Sequence, residues 1–184
     1  MPRLSEAEKR KSHIRIVDAA AALFREQGIE QTSVAEVMQA AGMTHGGFYR
    51  HFEDKKALVA AAFEGAVDSV VSDMEASETE QARAVARANY IDTYLSMEHV
   101  RNRRQGCPMA SLGSELGRSD GAVHAKTAQA VDRVTGLLRT EDGDDMTEAR
   151  LALLVGAVTV ARLTQDDAHA ERILSAARAA VQRI

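Results

Sequence analysis

The sequence contains no tryptophan, one cysteine and two prolines, and each shortage excludes something. With Cys107 alone, no disulfide can close within the chain, and a zinc site would have to be built without a pair of thiolates. Pro2 and Pro108 are the only residues that fix the backbone dihedral, so almost nothing between them forces the chain out of helical geometry. No apolar run approaches the roughly 20 residues that cross a bilayer, and the polar start MPRLSEAEKRK is no secretory leader. The expectation is a soluble cytoplasmic protein with no membrane partner. Chemistry-bearing patterns are scarce as well. The six histidines are scattered, HExxH is missing, DGDD lacks the rest of a calcium loop, and neither a P-loop nor a dinucleotide fingerprint occurs. No metal, cofactor or catalytic constellation is expected, and so no enzyme.

What is present is aliphatic. Apolar residues make up 45% of the 184 and aromatics only 4%, with alanine abundant, a mixture that suits packed helices and a sizeable core. The net charge of -4 is unevenly spread. Residues 1–60 carry nine Lys/Arg against eight Asp/Glu, and the remainder fourteen against nineteen. Within the first 15 residues Arg3, Lys9, Arg10, Lys11 and Arg15 outnumber Glu6 and Glu8, so a basic arm at the N-terminus could meet phosphates, or simply be a solvated leading turn.

Helical periodicity runs the length of the chain. Ile14, Val17, Ala20, Ala21 and Phe24 recur at helical spacing between about Ser5 and Gln27, with Gly28 placed as a C-cap. Thr32 or Ser33 caps a short second helix, with Glu36 completing a capping box after Ser33, and Gly42 ends it. Thr44 caps a third, and Asp54 a fourth from about Lys55 to Ala76. A fifth covers about Glu80 to Glu98, a sixth opens at Pro108 and ends near Gly117, and a seventh covers about Gly121 to Thr140. EDGDD reads as a surface connection, Thr147 caps an eighth helix, and a ninth follows Asp166 and Asp167. The fold class is all-α with about nine helices, divided into residues 1–54 and 55–184.

The stretch MTHGGFYRHFEDKKAL stands apart. Two adjacent glycines weaken a helix by about 1 kcal/mol each relative to alanine, yet Phe48, Tyr49 and Phe52 follow at once. The second and third helices, joined by AGMT, have the layout of a helix-turn-helix that reads double-stranded DNA. Phe48 and Phe52, four apart, share a face that can anchor the third helix on the first two. Thr44, His45, Gly46 and Gly47 then form its opening turn, where bare backbone lets the main chain approach base edges and free N–H groups attract phosphate. Tyr49, Arg50, His51 and, at the next helix start, Lys55 can flank the groove.

The ordered run TSVAEVMQAAGMTHGGFYRHFEDKKALVAAAF, preceded by IVDAAAALFREQG, resembles the DNA-binding domain of the TetR family of bacterial transcriptional regulators over about residues 14 to 63. The family pattern commonly has a larger residue where Gly47 stands, so base preference does not transfer. The resemblance implies Thr44, His45, Gly46 and Gly47 as base-proximal positions, and Ser33, Tyr49, His51 and Lys55 as phosphate contacts. It also implies a homodimer closed by the last two helices. The residues agree: Leu151, Leu154, Ala157, Val158 and Ala161 form one apolar stripe, and Ile173, Leu174, Ala177, Ala180, Val181 and Ile184 another. Within one chain, these stripes could equally pack on the core. The expected dimer contacts are Leu151, Leu154, Ala157, Val158, Ala161, Leu174, Ala177 and Val181.

The middle helices are left to sense a signal. Phe63, Val67, Tyr90, Tyr94, Met97, Met109, Leu112 and Leu116 are the expected lining of a cavity for a small hydrophobic effector. In RNRRQGCPMASLGSEL, Cys107 precedes a helix start and has Arg101, Arg103 and Arg104 close in sequence, conditions that favour a thiolate and hence an electrophilic effector. A small buried hydrophobe is the alternative for that cysteine. The whole reads as a dimeric operator-binding regulator, a repressor released by its effector. The rivals are an activator or thiol redox switch without a small ligand, and a helical enzyme or interaction module on a borrowed N-terminal fold.

Overall fold

The computed structural model describes residues 6–140 and 146–184. Arg3 of the basic arm and the acidic connection at 141–145 lie outside the described residues. Among the described residues all regular structure is helical. It comprises α1 (Glu6–Gln27), α2 (Val34–Ala40), a 3-10 helix η1 (His45–Arg50), α3 (Lys55–Glu75), α4 (Glu80–Tyr94), α5 (Met97–Arg101), α6 (Pro108–Leu116), α7 (Gly121–Leu137), α8 (Thr147–Ala161) and α9 (Asp167–Val181).

The core is one continuous cluster. It begins with Ile16, Ala20 and Phe24 of α1, passes through Val37 and Met38 of α2 and Phe48 of η1, and continues along α3 into α7, α8 and α9. Helix α3 is the spine: it packs on α1 at one side and α7 at the other. At Gly65 a Cβ would lie 3.0 Å from Val17 Cγ1, so the absent side chain is what lets α3 cross α1 so closely.

Most boundaries follow local chemistry. The Ser33 hydroxyl accepts from the Glu36 N–H at 3.2 Å while the Glu36 carboxylate accepts from the Ser33 N–H at 2.7 Å, completing the capping box. Gly42, at φ +68°, closes α2: its N–H reaches the Gln39 carbonyl and the Met43 N–H the Met38 carbonyl, a Schellman end that turns the chain toward η1. Asp54 accepts from the Ala57 N–H at 2.7 Å and starts α3.

Three expectations need correction. The helix expected over Glu80 to Glu98 is two, α4 and α5, because the Ser96 hydroxyl caps a new start by accepting from the His99 N–H at 3.1 Å. Thr147 does not cap α8 but is its first residue, 2% exposed with an unpartnered hydroxyl, and Met146 holds the cap position. Finally, Leu151, Leu154, Ala157, Val158, Ala161, Leu174, Ala177 and Val181 are all buried within the single chain, where they join α8 to α9 and to the core. They are intrachain packing residues. The large apolar side chains left outside here are different: Val160 of α8 and Leu163 of the turn after it are 49% and 78% exposed.

Candidate nucleic-acid interface and its neighbouring cavity

The stretch that suits neither a helix nor a loop is a single 3-10 segment. Thr44 precedes it in extended geometry and makes no capping bond, and the Gly47 N–H bonds the Thr44 carbonyl at 2.9 Å. A six-residue 3-10 helix has little macrodipole, so the phosphate attraction expected of an α-helical N-terminus is not what distinguishes this surface. Anchoring and exposure distinguish it. Phe48 is 1% exposed and stacks on Phe52 with ring centroids 5.7 Å apart, while Tyr49 lies edge-on to Phe48 and is 71% exposed. Thr44, His45, Gly46 and Arg50 are exposed beside it, with Gly47, His51 and Lys55 half-buried. Ser33 is exposed as well, although its hydroxyl is engaged in the capping box.

The glycines themselves are informative. Neither Gly46 nor Gly47 has a positive φ, and a Cβ built on Gly46 meets nothing within 4 Å. At Gly47 the nearest atom would be Met38 Cε at 3.5 Å, an ordinary contact. Nothing inside the protein requires these residues to lack side chains.

One member of this surface escaped sequence reasoning. His13 of α1 stacks on Phe52 at 4.7 Å and lies 6.0 Å from His51. The His51 imidazole is held below the ordinary histidine range by burial first, then by His13, Lys9 and Arg50. Its Nδ1 is buried without a partner. Only the fold brings residues 13 and 51 together, so no sequence spacing announces the pair.

A cavity of about 530 Å³ opens between α3, α4, α5, α7, α8 and the start of α6. Val67, Tyr90, Tyr94, Cys107 and Met109 line it as expected residues of a sensing site. Phe63, Leu112 and Leu116 do not: they border a crevice of about 10 Å³ between α1, α3 and α6, which is core packing. Met97 also lies outside the lining and packs half-buried on the core. The floor adds Val70, Met74, Val134 and Leu151, the last of which had been assigned to a dimer face.

Cys107 sits at the head of α6. Its N–H donates to His99 Nε2 at 2.8 Å, which obliges His99 to carry its proton on Nδ1 and donate to the Tyr94 carbonyl at 2.6 Å. Burial, opposed by that carbonyl bond, holds His99 below its usual range. The cations that interact electrostatically with Cys107 are Arg25 and Arg162. Two of its expected sequence neighbours point elsewhere: Arg101 pairs with Asp167, and Arg104 with Glu26.

The cavity and the reading surface are mechanically joined. At one end of the segment 104–115, Arg25 Nε donates to the Arg104 carbonyl at 2.7 Å and Arg104 pairs with Glu26 at 3.0 Å. At the other, the Glu115 carboxylate accepts from the N–H groups of Ile29 and Glu30, at 3.0 and 3.3 Å, in the turn between α1 and α2. Helix α6 therefore has its first residues in the cavity wall and its last turn bonded to the base of the helix-turn-helix.

Comparison with known sequences agrees with this geometry. The sequence profile of "Bacterial regulatory proteins, tetR family" matches residues 16–62, which include α2, η1 and the turn joining them. Over these residues the chain is similar to the TetR family. That family is one of bacterial regulatory proteins. Among the relatives matched in sequence, the HTH-type transcriptional regulator AcrR of Shigella flexneri is 39% identical over 64 residues, 35% of this chain. The matched stretch spans only 30% of that relative's length, so the sequence likeness concerns the N-terminal part. The fold likeness extends further. The reduced form of NemR from E. coli superposes with a TM-score of 0.72 at 18% identity, covering 95% of this chain and 96% of that one. A TetR regulator from Chloroflexus aurantiacus superposes with a TM-score of 0.74 at 24% identity, covering 96% and 95%.

Proposed function

We propose that this chain is a TetR-family transcriptional regulator that binds a pseudo-palindromic operator as a homodimer, most simply as a repressor, and releases it when an effector enters the 530 Å³ cavity. The observation that carries the reading is the bare backbone at exposed Gly46 and half-buried Gly47, which no internal packing demands. A duplex lying against it explains the missing side chains, because a Cβ there would hold the main chain away from base edges. Thr44 and His45 are the base-proximal side chains in this reading, and Ser33, Tyr49, Arg50, His51 and Lys55 face phosphates. A regulator of this kind works in the bacterial cytoplasm, beside the chromosome.

Release is a population shift: an effector that prefers the DNA-incompetent arrangement lowers operator affinity by its differential affinity for the two states. The bonds of Glu115 to the α1–α2 turn support α6 as the element that carries the change. Selection of a preferred duplex from a random pool tests the reading. A symmetric pair of half-sites about one helical turn apart is the expected outcome, and a chain that enriches no sequence, with affinity for random duplex insensitive to salt, contradicts it.

The place of Cys107 in the cavity wall supports a second reading within the same function, in which an electrophile alkylates the thiolate and acts as the effector. Operator release by N-ethylmaleimide in wild type but not in Cys107→Ser is its expected signature. Equal release in both would leave only the reversible effector.

A further inference from the structure

The cavity wall contains a strong donor with only a thiol beside it. Tyr94 is 4% exposed, and its buried hydroxyl has no nitrogen or oxygen partner; only the Cys107 thiol, a weak acceptor, adjoins it. Tyr90, four residues earlier on α4, packs its ring 5.5 Å away and makes no hydrogen bond among the described residues. Burial, and then the adjoining Cys107, push both phenols above their ordinary range, so each keeps its proton. Buried polar groups are nearly always bonded, and an orphan of this kind at a cavity points to a missing acceptor.

We propose that the cavity takes an uncharged, mainly apolar molecule bearing a carbonyl-type oxygen, and that this oxygen accepts the hydrogen bond from Tyr94. The inference rests on the reading of the cavity as an effector site and names the chemistry of its occupant. Val67, Val70, Met74, Val134 and Leu151 supply an apolar bed for the body of the molecule. An anion is disfavoured because the nearby guanidinium groups are already engaged. Arg162 donates to the carbonyls of Val100 and His99 and to the Ser111 hydroxyl, and Arg25 donates to the Arg104 carbonyl. A cation finds a single carboxylate in the lining, Glu98, which is exposed. The Cys107 thiol adjoins the Tyr94 hydroxyl and turns about one side-chain torsion, so the ligand oxygen would replace a weak sulfur acceptor when the thiol turns away.

The test uses the full-length protein without DNA and three probes of one shape: 2-acetylnaphthalene, 2-isopropylnaphthalene and 2-naphthoate. Calorimetric titration is expected to show the ketone binding about ten-fold tighter than the hydrocarbon, a difference typical of one buried hydrogen bond, and tighter than the carboxylate. In Tyr94→Phe, which removes only an oxygen without a nitrogen or oxygen partner, the melting temperature stays at or above wild type and the ketone loses its advantage. The carbonyl stretching band of bound ketone shifts to lower frequency in wild type, a readout that does not depend on the variant. Equal affinity for ketone and hydrocarbon, tighter binding of the carboxylate, a preference that persists in Tyr94→Phe, an unshifted band, or binding of none of the three overturns the proposal. Failure of the operator selection overturns the regulator reading instead, since these titrations contain no duplex.

Discussion

At Gly46 the polypeptide has room for a methyl group and does not carry one. Gly46→Ala is therefore expected to fold normally and to melt at or slightly above the wild-type temperature, because a compatible Gly-to-Ala change stabilises by roughly 0.4–1 kcal/mol. On the selected duplex the same variant should bind about ten-fold more weakly or worse, as expected when base-edge contacts are pushed out of reach. Thermal melting together with fluorescence anisotropy separates the two effects, and unchanged DNA affinity would remove the reason for the bare backbone. Phe48 is the converse case. Buried at 1% exposure, it should cost about 3–5 kcal/mol on truncation to alanine in chemical denaturation. The histidines add a pH dependence of definite sign. His51 and His99 are both held below the ordinary histidine value of 6.5, so the unfolded chain binds more protons than the folded one near and below that value. Stability is then fully present above pH 6.5 and falls as the pH drops below it. Protonating His99 also removes the acceptor for the Cys107 N–H. A denaturation series between neutral and mildly acidic pH should show this decline, with a shallower slope in His99→Gln.

Helix ends were the most legible features at the scale of elements, because a cap is decided within four or five residues. The Ser33–Glu36 box and the turn at Gly42 could be read directly from residue types at fixed spacing. Ser33→Ala should cost about 1 kcal/mol for the same local reason. The break at Ser96 is also local, yet periodicity over Glu80 to Glu98 continued through it and concealed it. The 3-10 form of His45–Arg50 was not legible, since Thr44 has the right chemistry for a cap and does not use it. The grip of Glu115 on the α1–α2 turn was out of reach in another way: its partners Ile29 and Glu30 are 86 and 85 residues away in sequence. Glu115→Ala leaves those two N–H groups without their acceptor. The variant is expected to bind the selected operator but to lose most of the change in affinity caused by effector, measured by titrating N-ethylmaleimide or 2-acetylnaphthalene against the protein–DNA complex. A response identical to wild type would mean that α6 does not carry the signal.

At the scale of the whole molecule, the outstanding matter is the second copy. The apolar stripes of α8 and α9 face inward, so the proposed dimer would use their other sides, where Ala152, Gly156 and Val160 of α8 and Leu163 of the turn after it are exposed or half-buried. Leu163→Glu should shift the proposed dimer toward monomer in analytical ultracentrifugation while leaving the helical content unchanged. Leu154→Glu, at a position with 0% exposure, should instead unfold the chain. If Leu163→Glu remained fully dimeric, the joint would have to lie elsewhere.

The helical class, the helix-turn-helix and its anchoring phenylalanines were determined by the sequence alone, because periodicity, capping and turn chemistry act over short spacings that a linear reading preserves. Which side of each helix faces inward was decided only by the tertiary structure. An apolar stripe states that burial is needed and not against what, so α8 and α9 could be paired with a second chain on paper while in space they cover their own core. The same limit applies to the cavity, where Cys107, Tyr94, His99 and Arg162 acquire their relation to one another only when four separate segments converge.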